Sequence, residues 1–342
     1  MDDVLHRQDQ KTRKMTDNLF CNRKVTDARP GKGEERTKFI KKLTHLRLQD
    51  QGIKTIENLD HTRKLQALYL NSNVITCMNG LQHKYLNNLI QLDLQDNDIT
   101  VMEGLDCLSG VRRLSLARNC IAFITGLEHC PRLEQFDMSG QRLVEGSTGV
   151  EFDETSIDAM SETLISLNAS NCGLMHVEHI ACLDALTSLD ISNNAVPHVD
   201  GFANLLCSTS GRTGRNRQLR TLLCDNNPAM TQGGPRVRDT LVVMAESLRC
   251  LNGKDIEPRQ RQFLLTMEAR KNMPKKKKQR NKGEVGGSNV LVEVGVGKNG
   301  TGRPMGFEDR GAYNAKNHRA MPSGNKPMPG SMISGSGKPH FR

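Results

Sequence analysis

From Leu43 to Asn227 the chain repeats one pattern of apolar and polar positions every 22 residues. If the first apolar residue of each copy is offset 0, apolar residues also occupy offsets 3, 5 and 10, and a mostly polar residue occupies offset 8. The second copy shows the pattern in full, with Leu65, Leu68, Leu70, Asn73 and Ile75. Eight copies begin at Leu43, Leu65, Leu89, Val111, Leu133, Leu164, Leu186 and Leu219. A fixed period of this length predicts a solenoid with one coil per copy.

The spacing inside each copy predicts a short strand followed by a return segment. Side chains alternate along a strand, so the apolar residues at offsets 3 and 5 point inward and offsets 2, 4 and 6 face out. Return segments this short favour 3₁₀ turns over long helices. The fold class is therefore an α/β solenoid, a leucine-rich repeat right-handed horseshoe with a parallel concave sheet, about eight repeats and a C-terminal helical cap.

The polar residue at offset 8 is expected to turn inward and bind backbone groups of adjacent coils, because a carboxamide both donates and accepts. This residue is asparagine at positions 73, 97, 119, 194 and 227. Gln51, Gln141 and Cys172 occupy the offset in the other three repeats, and the ladder is expected to be imperfect there.

Three repeats depart from the period. Repeat two has two extra residues near His83–Asn88, and repeat seven has eleven near Cys207–Arg217, a Gly/Ser/Arg-rich stretch that predicts a mobile loop. Repeat five is 31 residues long, and its added segment predicts a helix capped by Asp153 or Thr155.

The flanks predict four regions. Residues 1–36 are expected to be a disordered basic N-terminus, and residues 37–257 a repeat domain that includes its caps. Within the C-terminal cap, Arg236–Leu251 is predicted to be a helix. Residues 258–282 are expected to form a basic helix, Pro258–Lys271, followed by a polybasic run. Residues 283–342 are Gly/Pro-rich, and disorder is expected.

The net charge also differs between the repeats and their flanks. The net charge is +5 over residues 1–42, −8 over residues 43–257 and +13 over residues 258–342. An acidic solenoid between basic flanks predicts different partners for the two kinds of surface. The absence of an apolar run of about 18 residues argues against a membrane span, and the Met-Asp-Asp start argues against a signal peptide. The ten cysteines contain no Cys-x-x-Cys pair and are interpreted as reduced thiols.

Two candidate binding surfaces follow. The first is a mainly acidic strip assigned to the concave face, and the competing interpretation is a solvated polar face without a partner. Its residues are Asp50, Tyr69, Asp93, Asp96, Arg118, Asp137, Asp190 and Asp225. The second is the polybasic run. Its residues are Lys275, Lys276, Lys277, Lys278, Arg280 and Lys282.

The polybasic run has several interpretations. It fits a nuclear-import signal, a contact with nucleic-acid phosphates, a grip on the acidic tails of tubulin, or a solubilising tail without a partner. Aromatic residues are nearly absent around it, which argues against nucleic acid as a partner.

No catalytic, metal or cofactor site is predicted. His176 and His179, with Cys172 and Cys182 nearby, have the composition of a zinc site. The repeat register, however, places both histidines on the outer surface and Cys172 at the inward offset 8. Residues 295–300 match Gly-x-Gly-x-x-Gly, but a Gly/Pro-rich stretch follows where a dinucleotide fold needs a helix. The chain is therefore not expected to be an enzyme.

The repeat form is most explicit at residues 111–127, VRRLSLARNCIAFITGL. It resembles the 22-residue phosphatase-regulator-like leucine-rich repeat family, and the resemblance covers about residues 37–282. The stretches that carry it beyond the generic repeat are residues 139–143, 161–171 and 238–271. The resemblance implies a non-catalytic subunit that binds the catalytic subunit of protein phosphatase 1 and works in the cytoplasm at microtubules, centrosomes, cilia or flagella.

Two alternatives stay open beside this implication. One is a spliceosomal-type protein-binding scaffold in the nucleus, and the other is an axoneme-assembly adaptor that needs no phosphatase. The basic–x–(Val/Ile)–x–Phe docking segment of many phosphatase-1 regulators has no clean copy here. Residues 149–152 lack the basic residue, and residues 121–123 lie inside a repeat. Docking would then use the concave face.

Overall fold

The computed structural model describes residues 12–22, 24–26, 30–206, 218–234 and 236–272. Its main feature is a ten-stranded sheet to which each repeat contributes one short strand at offsets 2 to 4. The repeat strands are β1 His45–Arg47, β2 Ala67–Tyr69, β3 Gln91–Asp93, β4 Arg113–Ser115, β6 Gln135–Asp137, β8 Ser166–Asn168, β9 Ser188–Asp190 and β10 Thr221–Leu223. Consecutive repeat strands pair in parallel, each in the same register. This confirms the predicted leucine-rich repeat solenoid.

The core runs along the inside of the coils. Leu68 and Leu70, at offsets 3 and 5 of repeat two, are fully buried, and every other repeat buries the same two positions. The return segments contain five 3₁₀ turns among the described residues, as the short return segments predict. These turns are Asn79–Leu81, Leu86–Asn88, Leu127–His129, His179–Cys182 and Val199–Phe202. None of the helices in the described ranges is both long and apolar enough to cross a membrane.

Buried carboxamides connect neighbouring coils. The Oδ1 atom of Asn97 accepts the N–H of Ile75 in the preceding repeat at 3.0 Å. Its Nδ2 atom donates to the carbonyls of Leu70 in that repeat and Leu94 in its own, at 3.0 and 2.9 Å. One side chain thus satisfies three backbone groups that have no access to water.

Gln141 makes the same three kinds of bond in repeat five. Its Oε1 accepts the N–H of Ile121 at 2.9 Å, and its Nε2 donates to the carbonyls of Leu116 and Met138. The expectation of an imperfect ladder is therefore wrong at this position, because the longer side chain still places its amide where asparagine would.

The other two exceptions do differ from asparagine. Cys172 is buried, and its thiol donates to the carbonyl of Met138 at 3.2 Å. Gln51 turns outward, where its amide bonds Arg13 and two nearby carbonyls. At these two positions the ladder is imperfect, as expected.

The N-terminal segment corrects a prediction. Within residues 12–35, which were expected to be disordered, Met15, Phe20 and Val25 are buried. Helix α1, Asp17–Phe20, is capped by Thr16, and helix α2, Arg36–Ile40, follows. The N–H of Arg47, at the end of β1, donates to the carbonyl of Val25 at 2.7 Å. These residues cover the apolar end of repeat one, which would otherwise face water.

The long fifth repeat carries its addition outside the main sheet. Strand β5, Phe123–Ile124, pairs in parallel with β7, Glu151–Phe152. Helix α3, Glu154–Met160, follows, and the carboxylate of the preceding Asp153 accepts the N–H of Ser156. This confirms the inserted helix and identifies Asp153 as its cap. The loop expected at residues 207–217 of repeat seven lies outside the described residues, beyond helix α4, Ala203–Leu206.

The C-terminal cap contains two short helices and a hairpin. Helix α5, Pro228–Gln232, leads to α6, Val237–Met244, and strand β11, Cys250–Leu251, then pairs with β10. The predicted helix Arg236–Leu251 is thus too long, because Leu251 is drawn into the sheet opposite Leu222. Asn252 and Gly253 both have positive φ and turn the chain into the antiparallel strand β12, Lys254–Asp255.

Helix α7, Pro258–Asn272, confirms the predicted second helix. The guanidinium of Arg261 donates to the carbonyls of Val242, Glu246 and Leu248, which fixes α7 against the C-terminal end of α6. The residues of α7 near Lys271 lie instead beside Arg236 and Asp239 at the start of α6. The two helices are therefore antiparallel.

The amide ladder makes a direct stability prediction. Replacing the fully buried Asn119 by alanine leaves the N–H of Ile99 and the carbonyls of Leu94 and Leu116 without their side-chain partner. We expect the Asn119→Ala variant to lose about 2–4 kcal/mol of unfolding free energy in a urea titration followed by circular dichroism. The Asn119→Gln variant should lose less than about 1 kcal/mol, because Gln141 fills the same role natively. Equal losses in both variants would contradict the ladder as described.

Candidate concave binding surface

The floor of the concave face is built from offsets 2 and 4 of the repeat strands. Asp93, Asp137 and Asp190 all occupy offset 4, on β3, β6 and β9, and Tyr69 occupies it on β2. All four side chains are partly exposed. The structure therefore brings these four predicted site residues onto one sheet face.

Offset 7 has another role. Asp50, Asp96 and Arg118 lie after their strands, in a turn with left-handed backbone (φ 55°, 60° and 53°). The same conformation occurs at offset 7 of all eight repeats, where five of the others are serine, asparagine or glycine. Offset 7 is thus the turn that follows each strand, so these three predicted site residues lie outside the strands of the sheet, and their part in binding stays a prediction.

Asp225 follows strand β10, at offset 6 of repeat eight. Its Oδ1 atom accepts a hydrogen bond from the Nδ2 of Asn252 at 2.5 Å. Asn252 belongs to the turn that closes the cap, and its own Oδ1 accepts the N–H of Cys224 at 2.8 Å. Asp225 therefore helps to join the last repeat to the cap.

Asp96 is neutralised by two arginines. Its Oδ1 lies 3.6 Å from a terminal nitrogen of Arg142 and 4.0 Å from the Nε of Arg118. Arg142 also reaches Asp98, at 3.0 Å. This network joins repeats three, four and five at the edge of the sheet, and it leaves Asp96 poorly suited to attract a cationic partner.

The three floor carboxylates are different. Within the described part of the chain, no lysine, arginine or histidine nitrogen lies within 4.0 Å of Asp93, Asp137 or Asp190. Each is instead held through Oδ1 by the N–H two residues later, in Gln95, Ser139 and Ser192. The serine hydroxyls add a second bond, at 2.7 Å in repeat five and 2.6 Å in repeat seven. The carboxylates are thus oriented without being neutralised.

A shallow depression of about 270 Å³ lies in the middle of this floor, across β3, β4, β6 and β8. Asp93 and Asp137 line it together with Arg113 and Gln135, two exposed residues at offset 2. The acidic strip predicted from the sequence does not include Arg113 and Gln135, although the alternation of side chains along a strand already places offset 2 on the exposed face. Arg113 adds a positive charge between two carboxylates, so the floor is not uniformly acidic.

Burial raises the pKa of the Asp93 carboxyl. The hydrogen bond from the N–H of Gln95 opposes this shift, the negative charge of Asp137 adds to it, and Arg118 opposes it. The surroundings of Asp93 therefore disfavour the charged form of its carboxyl group.

Neither of the two candidate docking segments is available as an extended peptide. Val150 is buried, and Phe152 is half-buried against the core within β7. Ile121 is fully buried at offset 10 of its repeat, although Phe123 is 48% exposed. A positive φ of 102° at Gly149 and its close approach to Gly173 fix the start of the first segment, because an added Cβ would lie 2.2 Å from the Gly173 carbonyl oxygen. Docking through either segment would require local unfolding.

The His/Cys set does not form a metal centre. Among the described residues, no group of three or more His, Cys, Asp or Glu side chains is placed to hold an ion. Burial raises the pKa of the Cys172 thiol to about 12, so it stays protonated at neutral pH. His176 is exposed as expected, but His179 is half-buried against the ring of Phe152, and this burial lowers its pKa. The prediction that His179 lies on the outer surface is wrong, because its side chain is half-buried.

The polybasic residues 275–282 lie outside the described residues, so their predicted role stays a prediction. The structure does show helix α7 directly before them, with Phe263 63% exposed.

Two solved structures are similar to parts of the chain at low sequence identity. No protein-family model matches the sequence. A leucine-rich repeat protein of Leptospira interrogans is 17% identical with a TM-score of 0.42, and the match covers 59% of this chain and 53% of that one. An internalin of Listeria monocytogenes is 18% identical with a TM-score of 0.30, over 63% of this chain and 82% of that one. The chain thus matches only about half the length of the Leptospira protein.

The shifted pKa of Asp93 predicts a pH-dependent stability. Because its folded-state pKa is raised, its contribution to stability is present below the unfolded value of about 3.9 and is lost as pH rises through the folded-state pKa. The Asp93→Asn variant cannot titrate and keeps an acceptor for the N–H of Gln95. We expect its urea midpoint to exceed that of the wild type at pH 7, with a smaller difference at pH 4. A gain that is independent of pH would show that burial of the charge is not the cause.

The left-handed turn at offset 7 predicts that two reciprocal substitutions change the unfolding free energy in opposite directions. Arg118 has φ 53°, a conformation that asparagine tolerates better, as Asn171 shows at the same offset. The Arg118→Asn variant should gain about 0.5–1 kcal/mol of unfolding free energy, since its exposed contact with Asp96 contributes little. The Asn171→Arg variant should lose a similar amount. If both variants lose stability in the same urea assay, the turn is not the controlling factor.

Proposed function

We propose that the protein is a non-catalytic scaffold that binds a protein partner on its concave face. The observation that supports this proposal best is the set of oriented carboxylates Asp93, Asp137 and Asp190 on the sheet floor, which have no ion-pair partner among the described residues. Leaving charges on a partly buried surface without counter-ions costs stability, and a cationic partner would recover that cost.

The partner we propose is the catalytic subunit of protein phosphatase 1. Support comes from the sequence, which resembles protein phosphatase 1 regulatory subunit 42, the testis leucine-rich repeat protein, along residues 139–143, 161–171 and 238–271. The last stretch covers α6, β11, β12 and most of α7, so it extends beyond the generic repeat. By this resemblance the protein regulates or targets the phosphatase in the cytoplasm, at the microtubule cytoskeleton of centrosome, cilium or flagellum.

A second surface is proposed for the C-terminal basic run. Its charge suits the acidic tails of tubulin. The run follows helix α7, Pro258–Asn272, in the chain. A scaffold of this kind would hold one partner on the concave floor and another through its basic run.

The test of the concave face uses the full-length chain. We expect the Asp93→Lys, Asp137→Lys, Asp190→Lys triple variant to bind the phosphatase-1 catalytic subunit at least about a hundredfold more weakly in biolayer interferometry, because three favourable charges become repulsive. The matched control is Asp50→Lys, which reverses an exposed acid in an offset 7 turn. Unchanged affinity in a folded triple variant would overturn docking on the floor.

Affinity purification with mass spectrometry, from cells with and without cilia, tests the identity of the partner. Recovery of the phosphatase in both supports the proposal. Ribonucleoprotein proteins together with nuclear staining would support a spliceosomal-type scaffold instead. Axonemal proteins without phosphatase would support an assembly adaptor.

A further inference from the structure

A groove of about 250 Å³ lies between the antiparallel helices α6 and α7. The residues that line it on the side of α6 run from Arg236 to Val243, and those on α7 run from Phe263 to Lys271. Each wall is therefore one face of a helix over about two turns, or about 10 Å. Sites that enclose a drug-sized molecule hold about 300–1,000 Å³, so this groove suits a few side chains of a larger partner.

Helix α7 leaves much of its apolar surface uncovered. Phe263, Leu265 and Met267 are exposed, whereas Leu264 is half-buried against the core. Phe263 and Met267 are one turn apart, and both line the groove. Neighbouring exposed apolar side chains mark interaction sites, and phenylalanine, methionine and arginine are enriched in protein interfaces. The groove thus has the composition of a protein-binding site.

Arginines border the apolar part of this groove. Arg259 lies four residues before Phe263 and Arg270 lies seven residues after it, so the helical period places both on the same side of α7 as Phe263. Both arginines are exposed, and in the ranges that the structure describes neither makes an ion pair. Their charges are therefore available to a partner.

The sign of the charge around the groove favours an acidic occupant. Asp239 and Glu268 line the groove together with Arg236 and Lys271, so these four side chains cancel. Residues 258–282, in contrast, contain ten lysines and arginines and one acidic residue. A field of this sign attracts a negative partner and repels a second copy of the same region.

The walls of the groove select the conformation of the occupant. Both walls are helices, whose backbone groups bond within the helix, so the groove offers no sheet edge to which an extended segment could add. A helix brings its own backbone bonds and presents apolar residues at i, i+3 or i+4, and i+7, over about 10.5 Å. Arg261 fixes the two walls to each other through its bonds to three carbonyls, so the groove is formed before a partner arrives.

We propose that the groove between α6 and α7 docks an acidic amphipathic helix of a partner protein. The apolar face of that helix packs against Val243, Phe263 and Met267, and its acidic residues meet Arg259 and Arg270 at the rim. This site uses none of the residues of the concave floor, so it is independent of the phosphatase proposal.

The test uses three synthetic peptides of equal length in an alanine background that favours a helix. The first has leucines at i, i+3 and i+7 with glutamates on the flanking faces, the second has the same composition with the leucines scattered around the helix, and the third replaces glutamate by lysine. Fluorescence anisotropy gives the affinity of each for the full-length chain. We expect the first peptide to bind about tenfold more tightly than either of the others.

Variants on α7 locate the binding. Phe263→Ala should weaken binding of the first peptide at least about tenfold, because it removes the exposed aromatic of the groove. Leu265→Ala is the matched control, since Leu265 is an exposed apolar residue of the same helix that does not line the groove. The double variant Arg259→Glu, Arg270→Glu should shift the preference to the lysine peptide, whereas Lys254→Glu on β12 should not.

The possible outcomes decide the inference without deciding the proposed function. Equal or unmeasurable affinities for the first two peptides, or equal losses in Phe263→Ala and Leu265→Ala, would overturn the docked helix. Binding to vesicles that contain phosphatidylserine, lost in Phe263→Ala and without binding of the first peptide, would assign the surface to a membrane instead. Affinity of the same protein preparation for the phosphatase catalytic subunit is measured separately and stands or fails on its own.

Discussion

The buried carboxamide at offset 8 is the interaction on which the array depends. A coil of 22 residues cannot bury both its apolar face and its backbone polar groups by itself. Asn97 and Asn119 each bridge the turn of their own coil to the coil before it, through one acceptor and two donor contacts. This bond fixes the stacking distance and the register together, so the strands align and the exposed offsets form one continuous floor.

The same register gives the exposed side chains at offset 4 a structural role. The carboxylates of Asp137 and Asp190 accept the N–H two residues later and so complete the end of their strands. Asn168 makes the equivalent bond without a charge. Structure alone therefore does not require an acid at offset 4. The choice of acid in some repeats and amide in another is left to surface chemistry, and an amide variant therefore removes the charge without removing the local bond.

The sequence predicted correctly the features that depend on residues within a single repeat. The inward leucines, the 3₁₀ turns and the cap at Asp153 followed from spacing and from the chemistry of single side chains. It was misleading where a residue's partner lies far away in the chain. Burial of Met15 and Phe20 depends on the open end of repeat one, and neither lies in any repeat. Likewise, Leu251 joins the sheet only because β10 offers a free edge.

The concave site was predictable in outline and not in detail. Alternation placed Asp93, Asp137 and Asp190 on the exposed face, which the structure shows. The neutralisation of Asp96 by Arg142 spans 46 residues and needs the coils to be stacked before it can be seen. The position of the three carboxylates on every second strand of the sheet is hidden by the insertion in repeat five, which lengthens the chain between Asp137 and Asp190.

Cys172 makes the junction between repeats five and six unlike the asparagine junctions. A thiol replaces the carboxamide there, and the N–H of Val150 in the insertion donates to the Cys172 carbonyl at 2.9 Å. Asp93 and Asp137 lie on one side of this junction and Asp190 lies on the other. Any change in the angle between repeats five and six would therefore move Asp190 relative to the other two carboxylates and leave the distance between Asp93 and Asp137 unchanged.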